Sequence, residues 1–151
     1  MTQLKFGNGD ISVTGAIAYS SRKQRGLAVG VLLQVGVNDY PAEVIVDTGA
    51  PFLVCTPQLA KAIGIEDAKF IRKDTILFRG LWLDGSLYEL TVAFAPDENM
   101  GSGAALAVSG FVPANQEGLE EVLPYSSLGW VSCLEATPFA IDPGRKTFYY
   151  C

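Results

Sequence analysis

Leu27, Val29, Val31, Leu33, Val35 and Val37 occupy every odd position of one stretch. A period of two over that length marks a long β-strand with one buried face. Asn38-Asp39 reads as the turn that ends it, with Pro41 just beyond. Ala42–Val46 is then a return strand that delivers the chain to Asp47. Upstream, residues 11–19 (ISVTGAIAY) alternate loosely and read as another strand. Downstream, Phe52–Cys55 is a short apolar run. Thr56-Pro57 is a helix start, with threonine as N-cap and proline at the first helical position. Leu59, Ala60 and Ile63 would face inward, and Gly64 suits the C-terminal end.

The second half continues in short elements. Residues 69–95 hold two strand-like stretches around Asp84-Gly85, and Asp-Gly between apolar runs predicts a hairpin centred there. Ala104–Val112 predicts a strand and Gln116–Val122 a helical turn. Ser132 followed by Glu135 resembles a capping box opening a short helix. Phe139–Asp142, a Pro-Gly turn and Lys146–Tyr150 predict a closing hairpin. The sum is a mainly β chain with two or three short helices. No repeat or linker divides it, so residues 1–151 read as one domain.

Composition narrows the function. A chain of 151 residues, 49% hydrophobic and 18% charged, has the makings of an ordinary core and not of a disordered segment. No apolar run approaches the ~18 residues of a membrane span, so no membrane partner is expected. The net charge of −5 argues against nucleic acid as a partner. Between Gly80 and Gly144 there are nine acidic residues and no basic one, which reads as a solvated acidic face or as a site for cationic or neutral substrates. The chain contains no histidine, which excludes Ser-His-Asp and Cys-His mechanisms and histidine-containing metal or haem sites. No acidic spacing suggests a metal site either, and no metal or cofactor is expected. Gly101-Ser102-Gly103 begins like a dinucleotide loop, but Leu106 stands at the last glycine position and the surroundings are β-rich. Cys55, Cys133 and Cys151 are too few and too widely spaced for a disulfide framework and read as thiols in a reducing compartment. Ala16-Ile17-Ala18 mimics a cleavage site, but the residues before it make a poor signal peptide, so the cytoplasm is the expected location.

The informative tetrapeptide is Asp47-Thr48-Gly49-Ala50, directly after the apolar Val44-Ile45-Val46. A strand that ends in a glycine turn can project a carboxylate beyond the sheet edge. Gly49 removes a side chain that would obstruct a partner, Thr48 offers a hydroxyl, and Ala50 is small. Some seventy residues later comes Ser127-Leu128-Gly129, preceded by an extended stretch and followed by a helix start.

In these elements the chain resembles the retropepsin-like aspartic proteases. They carry a hydrophobic strand ending in D-T-G-A, a flap hairpin, a second hydrophobic-hydrophobic-Gly element crossing beside the first, a helix and closing strands. The resemblance spans 27–150, the protease-like core, and leaves 1–26 as an N-terminal extension and 96–124 without counterpart in the smallest members. It implies a single closed-barrel-like, mainly β fold with two or three short helices and a flap. It implies aspartic endopeptidase activity with Asp47 as the catalytic residue, supported by Thr48, Gly49, Ala50, Leu128 and Gly129. Ser127 stands where an aliphatic residue is more usual. Leu81, Trp82, Asp84 and Gly85 would belong to the flap over a polypeptide substrate. Two carboxylates must share a proton for this chemistry. No second D-[ST]-G exists here, so the resemblance implies a homodimer with one Asp47 from each protomer. A retropepsin-like fold used for peptide binding or dimerisation without proteolysis is the alternative, and a structural barrel with a chance D-T-G a third reading.

Overall fold

The computed structural model describes residues 3–6, 9–22 and 26–151, with side chains placed at 12–21 and 26–151. In chain order, β1 (Gln3–Phe6) pairs antiparallel with β2 (Gly9–Ser12). Then come β3 (Gly15–Ala18), β4 (Ser20–Arg22), β5 (Gly26–Val35), β6 (Asn38–Val46) and β7 (Leu53–Val54). Helix α1 (Pro57–Ala62) and a 3-10 turn (Ile65–Asp67) lead to β8 (Lys69–Phe78), β9 (Leu81–Phe94) and β10 (Ala104–Pro113). Helix α2 (Leu119–Val122), β11 (Ser127–Leu128), a second 3-10 turn (Leu134–Ala136), β12 (Phe139–Asp142) and β13 (Thr147–Tyr150) complete the chain.

Six strands, in the order β5-β6-β11-β7-β10-β9, close on themselves because β5 also pairs with β9. Closure satisfies both edges of each of these strands. Strands β4 and β8 extend the sheet outside this ring, and β12, β13 and β3 form a separate three-stranded sheet. The fold is therefore mainly β, as its patterning predicts, around a closed barrel. Residues 15–18 pair with 147–150, so this part of the N-terminal segment is built into the same structure.

Strand β5 places Val29, Val31, Leu33 and Val35 inside the barrel, at 5% exposure or less. Each buried side chain of this size contributes about 1.5–3 kcal/mol. The alternation stops one step earlier than expected. The turn is Gly36-Val37, Asn38 already pairs with Val35, and Val37 is 98% exposed at the tip. Gly36 adopts φ +60°, which an apolar L-residue resists, so backbone geometry overrides side-chain pattern here. The predicted strand over 11–19 is likewise divided, at Val13-Thr14, between β2 and β3.

Helix α1 forms as its sequence indicates. The Thr56 hydroxyl accepts from Leu59 N at 3.1 Å, Pro57 opens the helix, and Gly64 follows its end at φ +65°. The Thr56 amide donates in turn to Ser126 Oγ at 2.9 Å, tying the helix start to the residue before β11.

Two apolar clusters matter for the site. One fills the barrel and continues into the three-stranded sheet, where Phe94 stacks on Tyr150 with centroids 5.0 Å apart. The other comprises Ala50, Val54, Ile76, Phe78, Leu83, Leu87, Phe111, Leu119 and Leu123. It cements the β8–β9 hairpin onto β7, β10 and α2.

Candidate active site

Strand β6 is buried at Val44 and Ile45 and emerges at Asp47, whose side chain is 27% exposed. The carbonyl of Asp47 accepts from Ala50 N at 3.1 Å, closing a four-residue turn over Thr48-Gly49. The carboxylate folds back, and Oδ1 accepts from Gly49 N at 3.0 Å. The extended strand therefore ends in an Asx-type turn that fixes the aspartate.

Strand β11 locks this turn from the side. It runs parallel to β6, with Ser127 opposite Ile45 and Leu128 opposite Val46, and antiparallel to β7. Asp47 N donates to Leu128 O at 3.0 Å, Gly129 N to Phe52 O at 2.8 Å, and Trp130 N to Ala50 O at 2.8 Å. A Cβ at Gly129 would run into the carbonyl oxygens of Phe52 and Ala50. Ala50 is itself buried, at 2% exposure. Phe52 sits at φ +58°, a conformation costly for a bulky side chain and retained here beside the aspartate. The backbone around Asp47 is thus held by two crossing segments far apart in sequence.

Of the expected supporting residues, Ala50, Leu128 and Gly129 are brought together around Asp47, and all three are buried. Thr48 and Gly49 are exposed on the turn. A Cβ at Gly49 would lie 3.3 Å from Asp47 Oδ1, so its small size spares the carboxylate a tight contact.

The hairpin differs from expectation. Its turn is Arg79-Gly80, at φ +51° and +83°, and not Asp84-Gly85. Leu81 and Trp82 do flank the tip, with Leu81 half-buried against the second cluster and Trp82 64% exposed. Asp84 and Gly85 lie inside β9, opposite Thr75 and Asp74. The Asp84 carboxylate accepts from Thr75 Oγ1 at 2.6 Å. Gly85 is needed for another reason: a Cβ there would collide with the β10 backbone at Val112 and the Phe111 ring. Asp-Gly is a turn signal only where no third strand presses on the glycine.

This shift brings an unforeseen residue into the site. Arg79 Nη2 lies 3.3 Å from Asp47 Oδ2, and Nη1 donates to Val122 O at 2.9 Å. The guanidinium also sits 4.7 Å from the centroid of the Phe78 ring. One signal for it existed. The apolar pattern is mirrored about Arg79-Gly80, with Phe78 and Ile76 on one side and Leu81 and Leu83 on the other.

The site is thus a carboxylate at a strand end, held by a turn and flanked by β11, with Gly129 just beyond that strand. A family profile described as "Aspartyl protease" matches residues 33–76, which include Asp47. The solved structure of a retropepsin-like aspartic protease from Rickettsia conorii aligns with 90% of this chain and 89% of its own. Its TM-score is 0.55 and its sequence identity 21%. The fold is retropepsin-like. No curated protein sequence matches the chain.

Two of the three thiols in this retropepsin-like fold are buried. Burial pushes the Cys55 thiol up to about 12 and the Cys133 thiol up to about 11, so neither is a nucleophile near neutrality. All three cysteines are free. Among the described residues, no group of three or more His, Cys, Asp and Glu is arranged to hold a metal, and no helix is long and apolar enough to cross a membrane.

Proposed function

We propose that the chain is an aspartic endopeptidase that acts as a homodimer, with Asp47 of each protomer forming one dyad. The observation that carries this reading is the D-T-G-A turn, fixed at its backbone by β11 with the carboxylate part-exposed. In the dyad one carboxylate is ionised and takes a proton from water as the water attacks the scissile carbonyl. The other donates its proton to the carbonyl oxygen. The tetrahedral intermediate then collapses: the carboxyl that took the water's proton gives it to the leaving nitrogen as the C–N bond breaks, and a hydroxyl of the intermediate returns its proton to the other carboxylate, restoring the dyad. Macroscopic titration belongs to the pair and not to either protomer. Exposed Thr48 and Gly49 are available to meet the second copy, and Thr48 would brace the dyad. Leu81 and Trp82, beside the hairpin tip, would contact the peptide. Three free thiols suit a reducing compartment such as the cytoplasm.

One observation favours a second reading, a peptide-binding or dimerisation module without proteolysis: Arg79 already occupies Asp47 Oδ2. A single experiment separates the two. Wild type and Asp47→Asn are incubated with a diverse peptide mixture from pH 4 to 7, with mass spectrometry of new termini and a parallel measurement of mass in solution. Cuts made by the wild type alone, by a dimer, are expected. A dimer that makes no wild-type-specific cut favours the module, and a monomer that cleaves overturns the shared dyad.

A further inference from the structure

Arg79 occupies a costly position. In a two-residue hairpin turn with positive φ at both positions, asparagine, aspartate and glycine are the favoured residues. Arginine at φ +51° has no such advantage. What it gains is reach. Its planar fork spans the hairpin tip, the last carbonyl of α2 and the end of β6, donating to Val122 O at 2.9 Å and to Asp47 Oδ2 at 3.3 Å. Gly49 N donates to the other carboxylate oxygen at 3.0 Å. Both oxygens of Asp47 are therefore occupied by donors from its own chain.

That occupancy conflicts with hydrolysis. The reacting carboxylate must accept a proton from water, and the dyad must hold a proton between two aspartates. A guanidinium on Oδ2 stands where one of these partners has to be. The backbone of the hairpin cannot easily relieve the conflict. Phe78 and Leu83 flank the turn on its inner face at 1% and 0% exposure, so lifting the hairpin would expose core. The Arg79 and Asp47 side chains, by contrast, are 30% and 27% exposed. The movable part is the arginine side chain.

We propose that Arg79 gates Asp47: its guanidinium closes the carboxylate in the free chain and withdraws when substrate and the second protomer engage the site. This rests on the aspartic-protease reading above. Arg79 is a positioning residue that controls access and takes no part in proton transfer.

Arg79→Asn suits the test, because asparagine keeps the turn while removing the guanidinium. Kinetics on a peptide cleaved by the wild type are expected to show a KM about five- to tenfold lower in Arg79→Asn, with kcat little changed, since the closed fraction no longer taxes binding. Raising the salt from about 50 to 500 mM is expected to lower KM in the wild type and not in the variant. Arg79→Lys, which keeps charge but not the fork, should fall between them. Urea unfolding of wild type, Arg79→Asn, Asp47→Asn and the double variant supplies a readout independent of turnover. A coupling of about three- to tenfold in the unfolding equilibrium is expected between the two positions. Additive effects overturn the ion pair itself. Coupling with an unchanged or higher KM in Arg79→Asn overturns the gate and leaves the protease standing. Coupling with no Asp47-dependent cleavage by either wild type or Arg79→Asn overturns the protease reading, and the gate with it.

Discussion

Replacing Ser127 with alanine removes a hydroxyl that is fully buried and has no hydrogen-bond partner among the described residues. Ser127 lies in β11, opposite Ile45 and Val54, one residue before Leu128. An orphaned buried hydroxyl carries its full desolvation penalty, about 1–3 kcal/mol. Against this, the variant leaves a void the size of one oxygen, worth about 0.3–0.5 kcal/mol at the usual cavity coefficient. The net expectation is a gain of about 0.5–2.7 kcal/mol. For a chain of this length each kcal/mol moves the melting temperature by about 2–4 °C, so Tm should rise by about 1–11 °C. Thermal melts followed by far-UV circular dichroism check this, together with urea curves whose slope should not change. An unchanged or lower Tm at constant slope would refute the reasoning, because the hydroxyl must then be satisfied in the folded protein. Repeating the melts over a range of protein concentrations shows whether a second copy supplies the partner.

Gly129→Ala should act in the opposite direction. It forces a side chain into two carbonyl oxygens and disturbs the bonds of Gly129 N and Trp130 N, for a loss of about 3–5 kcal/mol and a Tm at least about 6 °C lower. A dyad sharing one proton gives a bell-shaped activity profile centred on mildly acid pH, and a rate that climbs steadily through pH 8 would contradict it. At pH 8 a thiol reagent should modify Cys151 in the folded chain and reach buried Cys55 and Cys133 only in denaturant, as counted by mass spectrometry. Burial raises the Cys55 and Cys133 thiols from 9.0 to about 12 and about 11. The unfolded chain therefore sheds these protons while the folded chain keeps them. Stability should fall as pH rises from about 9 towards 11, and the fall should shrink in Cys55→Ala.

Much of the fold follows from local signals that point one way. The period of two over β5, the Thr56-Pro57 start of α1 and the left-handed Gly64 at its end all depend on neighbours within a few residues. Local signals mislead where a distant strand decides. Asp84-Gly85 looks like a turn until β10 is placed against Gly85. Ser132 and Glu135 form only half of a capping box. The Glu135 carboxylate accepts from Ser132 N at 2.7 Å, but Ser132 Oγ accepts from Ser109 N at 2.9 Å, in β10. Asp47 was legible through its tetrapeptide, whereas Arg79 was not. It lies 32 residues along the chain, and a charged residue in a surface hairpin looks like any solvated side chain.

The pairing of β6 with β11 also fixes an order of events. The amide of Asp47 finds its partner at Leu128, about eighty residues further along, and contacts of such separation are slow to close. During synthesis β5 and β6 can pair while β11 has yet to be made. A nascent chain that ends before Leu128 carries Asp47 on an unsupported turn. The turn around Asp47 therefore takes its described form only after residues 128–130, whose backbone holds it, have been made.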